Sequence, residues 1–510
     1  MFRFKMIAGV YMNNFNLNQF SVKLICEEEN IDSVIETKIN NNQLDLYLTA
    51  NVSKPKFIEL SWHFESADNV IVLGDAWERS YGDLEFVSLK DNARYMPWYF
   101  LATDKTDSFC FGVKTQPKAF ISFRYDRSGI LALVDCRNGG CGVHLNGRKI
   151  HLATFVLKEY VHTDPYLCLC DYCKTLCDNP ILPDFKIYGG NDWYYAYGEN
   201  NYEEIVADAK LQAEFAKGID NAPFMVIDDG WQIQGNVGPW LPNEKFRDME
   251  ALCKDIKKAG ARPGIWIRFL HNTDEAISSD MRICRDGKRV YLDPTHPKVQ
   301  DFIKCDIERI KNWGYQLIKH DFTTVDLFGD YGKDLNETIT KIDNWHFYDQ
   351  TKTNGEIVLD LYKLIKEACG DLLIIGCNTV SHLCAGLVQI NRTGDDTSGV
   401  EWQRTKEMGI NTLAFRLAQN NAFYLVDADC VGILDNKIPW EKNKQWLDLI
   451  SKSNTALFLS CCKATDEQKK DISRAFKTYQ LDHTICPIDW YETRTPEKWI
   501  IDDTTVNYTW

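Results

Sequence analysis

Five hundred and ten residues, at roughly 150 per domain, make about three domain-sized units, or two if one of them is a large β/α barrel. A composition of 45% hydrophobic, 26% charged and 13% aromatic residues excludes a disordered, collagenous or coiled-coil chain. The net charge of −15, with no local basic patch, argues against nucleic acid and anionic membrane surfaces as partners.

Residues 1–12 carry Arg3 and Lys5, but Asn13 and Asn14 break the apolar run short of the ~7–15 residues of a signal core. No stretch approaches the ~20 apolar residues of a membrane helix. A cytoplasmic protein is expected, and eighteen cysteines scattered along so long a chain fit reduced thiols. From Asn14 to about Tyr160, short alternating runs such as 44–49 (LDLYLT) and 109–114 (FCFGVK) are separated by Asn, Asp, Gly and Lys clusters. They predict an antiparallel β-sandwich without a long amphipathic helix.

Cys168, Cys170, Cys173 and Cys177 then fall within ten residues expected to be turn-rich. A structural zinc site usually draws two ligand pairs from separated loops. The iron–sulfur run C-x-x-C-x-x-C-x-x-x-C is missed by one spacing. Buried or incidental thiols are therefore expected, with no metal.

Beyond this stretch, apolar runs at 185–188, 224–227, 264–267, 316–319, 372–375, 387–390, 423–426 and 456–459 alternate with helical periods at 202–218, 244–259, 296–313, 354–368, 404–419 and 440–453. Repeated βα units with strands buried on both faces predict a (β/α)8 TIM barrel. A helix over 466–479 and a few short strands complete the chain. The expected fold is thus multidomain: an N-terminal β-sandwich over 1–178, a catalytic barrel over 179–480, and a short C-terminal β extension over 481–510.

Functional groups of such barrels gather at the C-terminal ends of the strands. Here those ends read Asp228-Asp229-Gly-Trp-Gln, Lys319-His-Asp321-Phe and Arg392-Thr-Gly-Asp395-Asp396-Thr. Carboxylates and cations that hydrogen-bond hydroxyls, with the indoles of Trp193, Trp231 and Trp266 to cover C–H surface, have the parts for gripping a neutral sugar. Glycosidic cleavage needs two carboxyl groups flanking the scissile bond. Asp321 beside Lys319 is expected to stay ionised, as a nucleophile must. Mutual repulsion within Asp395-Asp396 is expected to hold one member protonated for acid duty. Any single Asp here equally caps the next helix, and a Trp more often packs than binds. The conjunction of three strand ends favours the functional reading.

These motifs, in this order on the second, fourth and sixth strands, resemble the clan D α-galactosidases, closest to glycoside hydrolase family 36. The resemblance covers most of the chain and includes Trp193-Tyr194, Gly376-Cys377 and Tyr424-Leu-Val-Asp-Ala-Asp-Cys. It implies a retaining mechanism with Asp321 as nucleophile and Asp396, four residues after Arg392, as acid/base. It implies that Asp228 and Asp229 bind the galactose 4- and 6-hydroxyls, and that Lys319, Arg392, Cys377 and Trp266 line the same subsite, with Trp193 and Asp395 nearby. A Trp from the β-sandwich closes the site in many members; Trp77 is the candidate, with Trp98 behind it. No cofactor is implied, and the partner is a galactose-containing oligosaccharide or glycoconjugate. The sequence is also compatible with a homo-oligomer.

Three departures stand out. Asn191-Asp192-Trp193 replaces the family's Cys-Ser-Trp, Asp395 stands where a neutral residue is commoner, and the C-terminal domain is shortened. An α-N-acetylgalactosaminidase, or a galactosyl transferase on the same site, is the nearest alternative. A non-catalytic sugar-binding relative, or a scaffold with metal on the thiols, is further off.

Overall fold

The computed structural model describes residues 15–92 and 94–510. The reading of residues 1–12 lies outside them. By contact the chain divides into two units, each assembled from separated pieces. The first takes the chain through Trp77, then Glu85–Asp178 and Asp334–Ile357; the second takes Glu78–Leu84, Asn179–Lys333 and Val358–Trp510.

The first unit holds two antiparallel sheets, of five and seven strands. Strict alternation shows in Gln43–Thr49, where Leu44, Leu46 and Leu48 are fully buried and the residues between them are not. Rings fill the space between the sheets. Trp62 of the five-stranded sheet meets Phe111 of the other edge-on at 5.2 Å, and Phe123 meets Phe100 at 5.7 Å. The piece Asp334–Ile357 supplies backbone acceptors to this unit: Ser122 Oγ donates to the Glu337 carbonyl at 2.8 Å and buried Arg137 donates to that of Thr340 at 3.1 Å.

The cysteine stretch is a helix, Pro165–Leu176, and not the turn-rich segment expected. Asp164 caps its first turn by accepting from the Tyr166 and Leu167 N–H groups, and Pro165 fits the first helical position, where no N–H is needed. Its apolar face is buried: Tyr172 donates to the Val156 carbonyl at 2.7 Å, and the Cys173 thiol reaches the Tyr99 hydroxyl at 3.8 Å. Burial pushes the Cys168 and Cys170 thiols up to about 11. Among the described residues no three His, Cys, Asp or Glu side chains gather as a metal site. No described helix is long and apolar enough to cross a membrane.

The second unit is built on a curled parallel sheet of nine strands. Eight follow the predicted runs: β1 Tyr188–Asn191, β2 Phe224–Ile227, β3 Arg262–Ile267, β4 Leu317–His320, β5 Leu373–Gly376, β6 Ile390–Arg392, β7 Leu425–Asp427 and β8 Leu457–Ser460. The ninth, Val431–Gly432, pairs beside β8 and was not predicted. A lone parallel bridge, Asp427 to Ala456, links β7 to the start of β8. β1 begins three residues later than expected because it contains Gly189-Gly190, which carry no apolar signal. Here glycine is required: a Cβ on Gly189 would lie 2.0 Å from the Phe224 carbonyl oxygen of β2. β6 and β7 are displaced the same way, toward the polar residues that end them.

Helices at Tyr202–Phe215, Met249–Ala259, Pro297–Trp313, Asn354–Cys369 and Trp440–Lys452 follow their periodicity. The single helix expected over 404–419 is instead broken. A π-helical stretch, Lys406–Asn411, separates Trp402–Thr405 from Thr412–Arg416. Its Met408 carbonyl lies so close to Gly394 that a Cβ there would come within 2.3 Å, so the wider turn packs directly against the β6 loop. Helix Asp466–Tyr479, with a Thr465–Gln468 capping box, and a three-stranded antiparallel sheet follow β8.

Candidate active site

A cavity of about 300 Å³ opens in the second unit at the C-terminal ends of β1 to β4 and β6. Of the predicted residues, Trp193, Asp228, Asp229, Trp266, Lys319, Asp321, Asp395 and Asp396 line it. The rest of its wall was not predicted: Arg79 and Tyr81 from Glu78–Leu84, Asn236 from a hairpin after β2, and Phe322, Tyr331 and Lys333 after β4.

At the base, Lys319 Nζ lies 2.6 Å from Asp228 Oδ2, with both side chains at most 10% exposed. Burial alone would lower the Lys319 amine, but Asp228 outweighs it and holds the amine charged. Asn191 also donates to Asp228 Oδ2, at 2.7 Å, so the Asn of the departing Asn-Asp-Trp motif is a partner of the sugar-binding candidate. Asp192 lies behind, fully buried. It accepts from the Asp228 N–H at 2.6 Å and from Asn200, and burial next to Asp228 raises its carboxyl to about 8. Asp229 is drawn up to about 6 by burial, against a hydrogen bond from Gln232.

Asp321 follows β4, partly exposed. Its Oδ2 accepts from Trp266 Nε1 at 3.2 Å and its Oδ1 from the Phe322 N–H at 2.7 Å. Phe322 is held at φ 61°, a left-handed conformation that costs a non-glycine residue about 1–3 kcal/mol and that clusters at functional turns. The Arg268 guanidinium lies 4.1 Å from the Phe322 ring centroid, itself clamped by buried Asp326 at 2.6 and 2.9 Å.

Asp395 and Asp396 are not the isolated pair the sequence suggested. Arg79 Nη2 lies 3.0 Å from Asp395, and its Nη1 lies 3.7 Å from Asp396. Arg404 binds the other Asp395 oxygen at 2.7 Å, and Arg392 binds Asp396 at 3.1 Å. Burial raises the Asp396 carboxyl, but Arg392, Arg79 and Lys319 together outweigh it and bring it down to about 2. Cations invisible to local spacing thus favour the ionised form of Asp396, against the expectation that repulsion would hold a proton on it.

Cys377 and Arg392, expected to line the subsite, are not among the residues that line the cavity. Both are buried, Arg392 donates toward the Cys377 thiol at 3.9 Å, and Arg392 is tied to Asp429 at 3.0 Å. Trp231 is a packing residue, fully buried and donating to the Trp266 carbonyl at 2.9 Å. Trp77 is not brought to the cavity. Its indole, 3% exposed, stacks edge-on against Trp98 at 4.9 Å within the first unit and donates to the Asn336 carbonyl. The chain reaches the site two and four residues later. Ser80 pairs with the β6 loop, its N–H on the Thr393 carbonyl and its own carbonyl taking the Asp395 N–H, and this delivers Arg79 and Tyr81. Nothing local in the sequence signals this segment's role, because the residues it pairs with lie more than three hundred positions away.

No protein-family model matches the chain, and no curated protein matches it either. Solved structures do. An α-galactosidase from Thermus thermophilus, in complex with p-nitrophenyl α-D-galactopyranoside, superposes at a TM-score of 0.64 and 15% identity over 96% of this chain and 97% of that one. A family 36 α-galactosidase from Geobacillus stearothermophilus gives 0.56 and 15% over 92% and 74%. The galactosidase domain of an α-galactosidase–sucrose kinase gives 0.55 and 16% over 90% and 71%. The chain has the fold of the family 36 α-galactosidases.

Proposed function

We propose that the chain is a retaining glycoside hydrolase that cleaves terminal α-D-galactosyl residues from oligosaccharides or glycoconjugates. What carries the reading is the convergence of Asp321, Asp396 and the Asp228–Lys319 pair on one cavity at the strand ends. It is supported by the fold, whose solved examples include proteins in complex with stachyose and with raffinose. The same reading takes the curled sheet as a closed (β/α)8 barrel, in line with the bridge from β7 to β8.

In this mechanism Asp321 attacks the anomeric carbon and Asp396 protonates the departing glycosidic oxygen, leaving a β-galactosyl ester on Asp321. Asp396, now ionised, takes a proton from water, which attacks the same carbon and releases α-galactose with Asp321 regenerated. Asp228 and Lys319 hold the sugar hydroxyls. A sugar filling the cavity excludes water from Asp396, which favours its protonated form over that of the free site.

The test is kcat/KM on aryl α-galactoside, α-glucoside and α-N-acetylgalactosaminide, together with Asp321→Gly. The galactoside is expected to lead the glucoside by about 10⁴-fold, because the wrong epimer leaves buried charged groups unpaired. Asp321→Gly should be inactive, and added azide should yield β-galactosyl azide. Equal rates on galactoside and glucoside, or an active Asp321→Gly enzyme, would sink the assignment; a lead for the N-acetylated sugar would replace galactose with N-acetylgalactosamine.

A further inference from the structure

Six charged groups form an alternating chain through the β6 loop: Arg404, Asp395, Arg79, Asp396, Arg392 and Asp429. Its links measure 2.7, 3.0, 3.7, 3.1 and 3.0 Å in that order, so the longest is the one between Arg79 and Asp396. Arg79 is thus drawn to Asp395 and stands off from Asp396. The arrangement is fixed from both sides. The Ser80 backbone pairs with Thr393 and Asp395, and the Arg79 side chain is only 9% exposed, which leaves it little freedom to move elsewhere.

We propose that Asp395 is a positioning residue: it holds Arg79 off Asp396, so that Asp396 can take up and deliver a proton within a site crowded by cations. This rests on the reading of Asp396 as acid/base and deepens it. Asp395 then is neither a rival acid nor chiefly a sugar ligand. The groups facing Asp396 are Arg392 from β6, Arg79 from Glu78–Leu84, Lys319 from β4, and the phenols of Tyr194 and Tyr197 behind β1. Three of these are cations that favour the ionised carboxylate. Asp395 opposes them twice, by its own negative charge and by engaging Arg79.

Removing Asp395's charge therefore shifts Asp396 toward the ionised form, and removing Arg404's charge does the reverse, because Asp395 then has Arg79 alone to pair with. The two substitutions have opposite signs, which damage to the scaffold does not produce.

The experiment measures kcat against pH on raffinose, whose leaving group needs the acid, for the full chain and for Asp395→Asn, Arg404→Gln and Asp395→Glu. The alkaline limb is expected to move down by about one pH unit in Asp395→Asn, a tenfold loss above the limb, and up in Arg404→Gln. Asp395→Glu should restore it. Limbs that stay in place, or that move in the same direction, would overturn the proposal even if rates fall. A wild-type chain without galactosidase turnover would defeat the functional reading alone. The carboxyl ¹³C resonance of Asp396, identified by its loss in Asp396→Asn, then reports the same pair of opposite shifts or overturns the tether.

Discussion

Asp228 and Lys319 show how a charge becomes tolerable when it is buried at the ends of parallel strands. Neither would tolerate burial alone, and each is the other's partner at 2.6 Å. Asp228→Ala is therefore expected to strand the Lys319 ammonium and lower unfolding free energy by about 3–5 kcal/mol, read by denaturant titration. Asp228→Asn, which keeps the volume, should lose less stability while still losing preference for galactosides. For Asp396 the expectation turns on the leaving group. Asp396→Ala should keep most of its first-step rate on an aryl galactoside with a very acidic phenol and lose it on raffinose. If Asp395→Ala gives that signature instead, the two roles must be exchanged.

At the scale of elements, what could be read in advance was whatever repeats. The apolar cores of β2, β5 and β8 and the helix Asp466–Tyr479 announced themselves by buried runs or helical period. The polar ends of β6 and β7 did not, because Asn391, Arg392 and Asp427 are buried polar residues that look like loop residues in one dimension. The aspartates of the site were legible because each follows a run of apolar residues. Arg79 was not: it owes its place to a Ser80 pairing with residues more than three hundred positions away. Trp77, two residues earlier, carried the stronger local signal and turned into the first unit's core. The cysteine helix lacks a strong apolar period, and the local signal for it is Asp164-Pro165, the capping pair that starts it. Asp164→Ala should cost about 1 kcal/mol and hasten reaction of Cys168 and Cys170 with a thiol reagent, since fraying begins at that end. Unchanged thiol kinetics would show that the cap is not what holds them.

For the whole molecule, a double displacement on carboxylates needs nothing beyond the chain. Dialysis against a strong chelator is expected to leave turnover on an aryl galactoside unchanged; a loss restored by zinc would return the cysteines to consideration. A net charge of −15 surrounds a site whose own charges largely cancel, so added salt should alter the rate on a neutral galactoside little.

The piece Asp334–Ile357 follows β4 in the chain and runs into the first turn of the helix Asn354–Cys369, yet Trp77, Ser122 and Arg137 hydrogen-bond to its backbone. Those donors are therefore made well before their acceptors, with residues 179–333 of the second unit between them. Only after residue 357 is made can the first unit be completed. A fragment ending at Asp178 lacks these acceptors and is expected to be cleaved by protease faster than the same residues within the full chain.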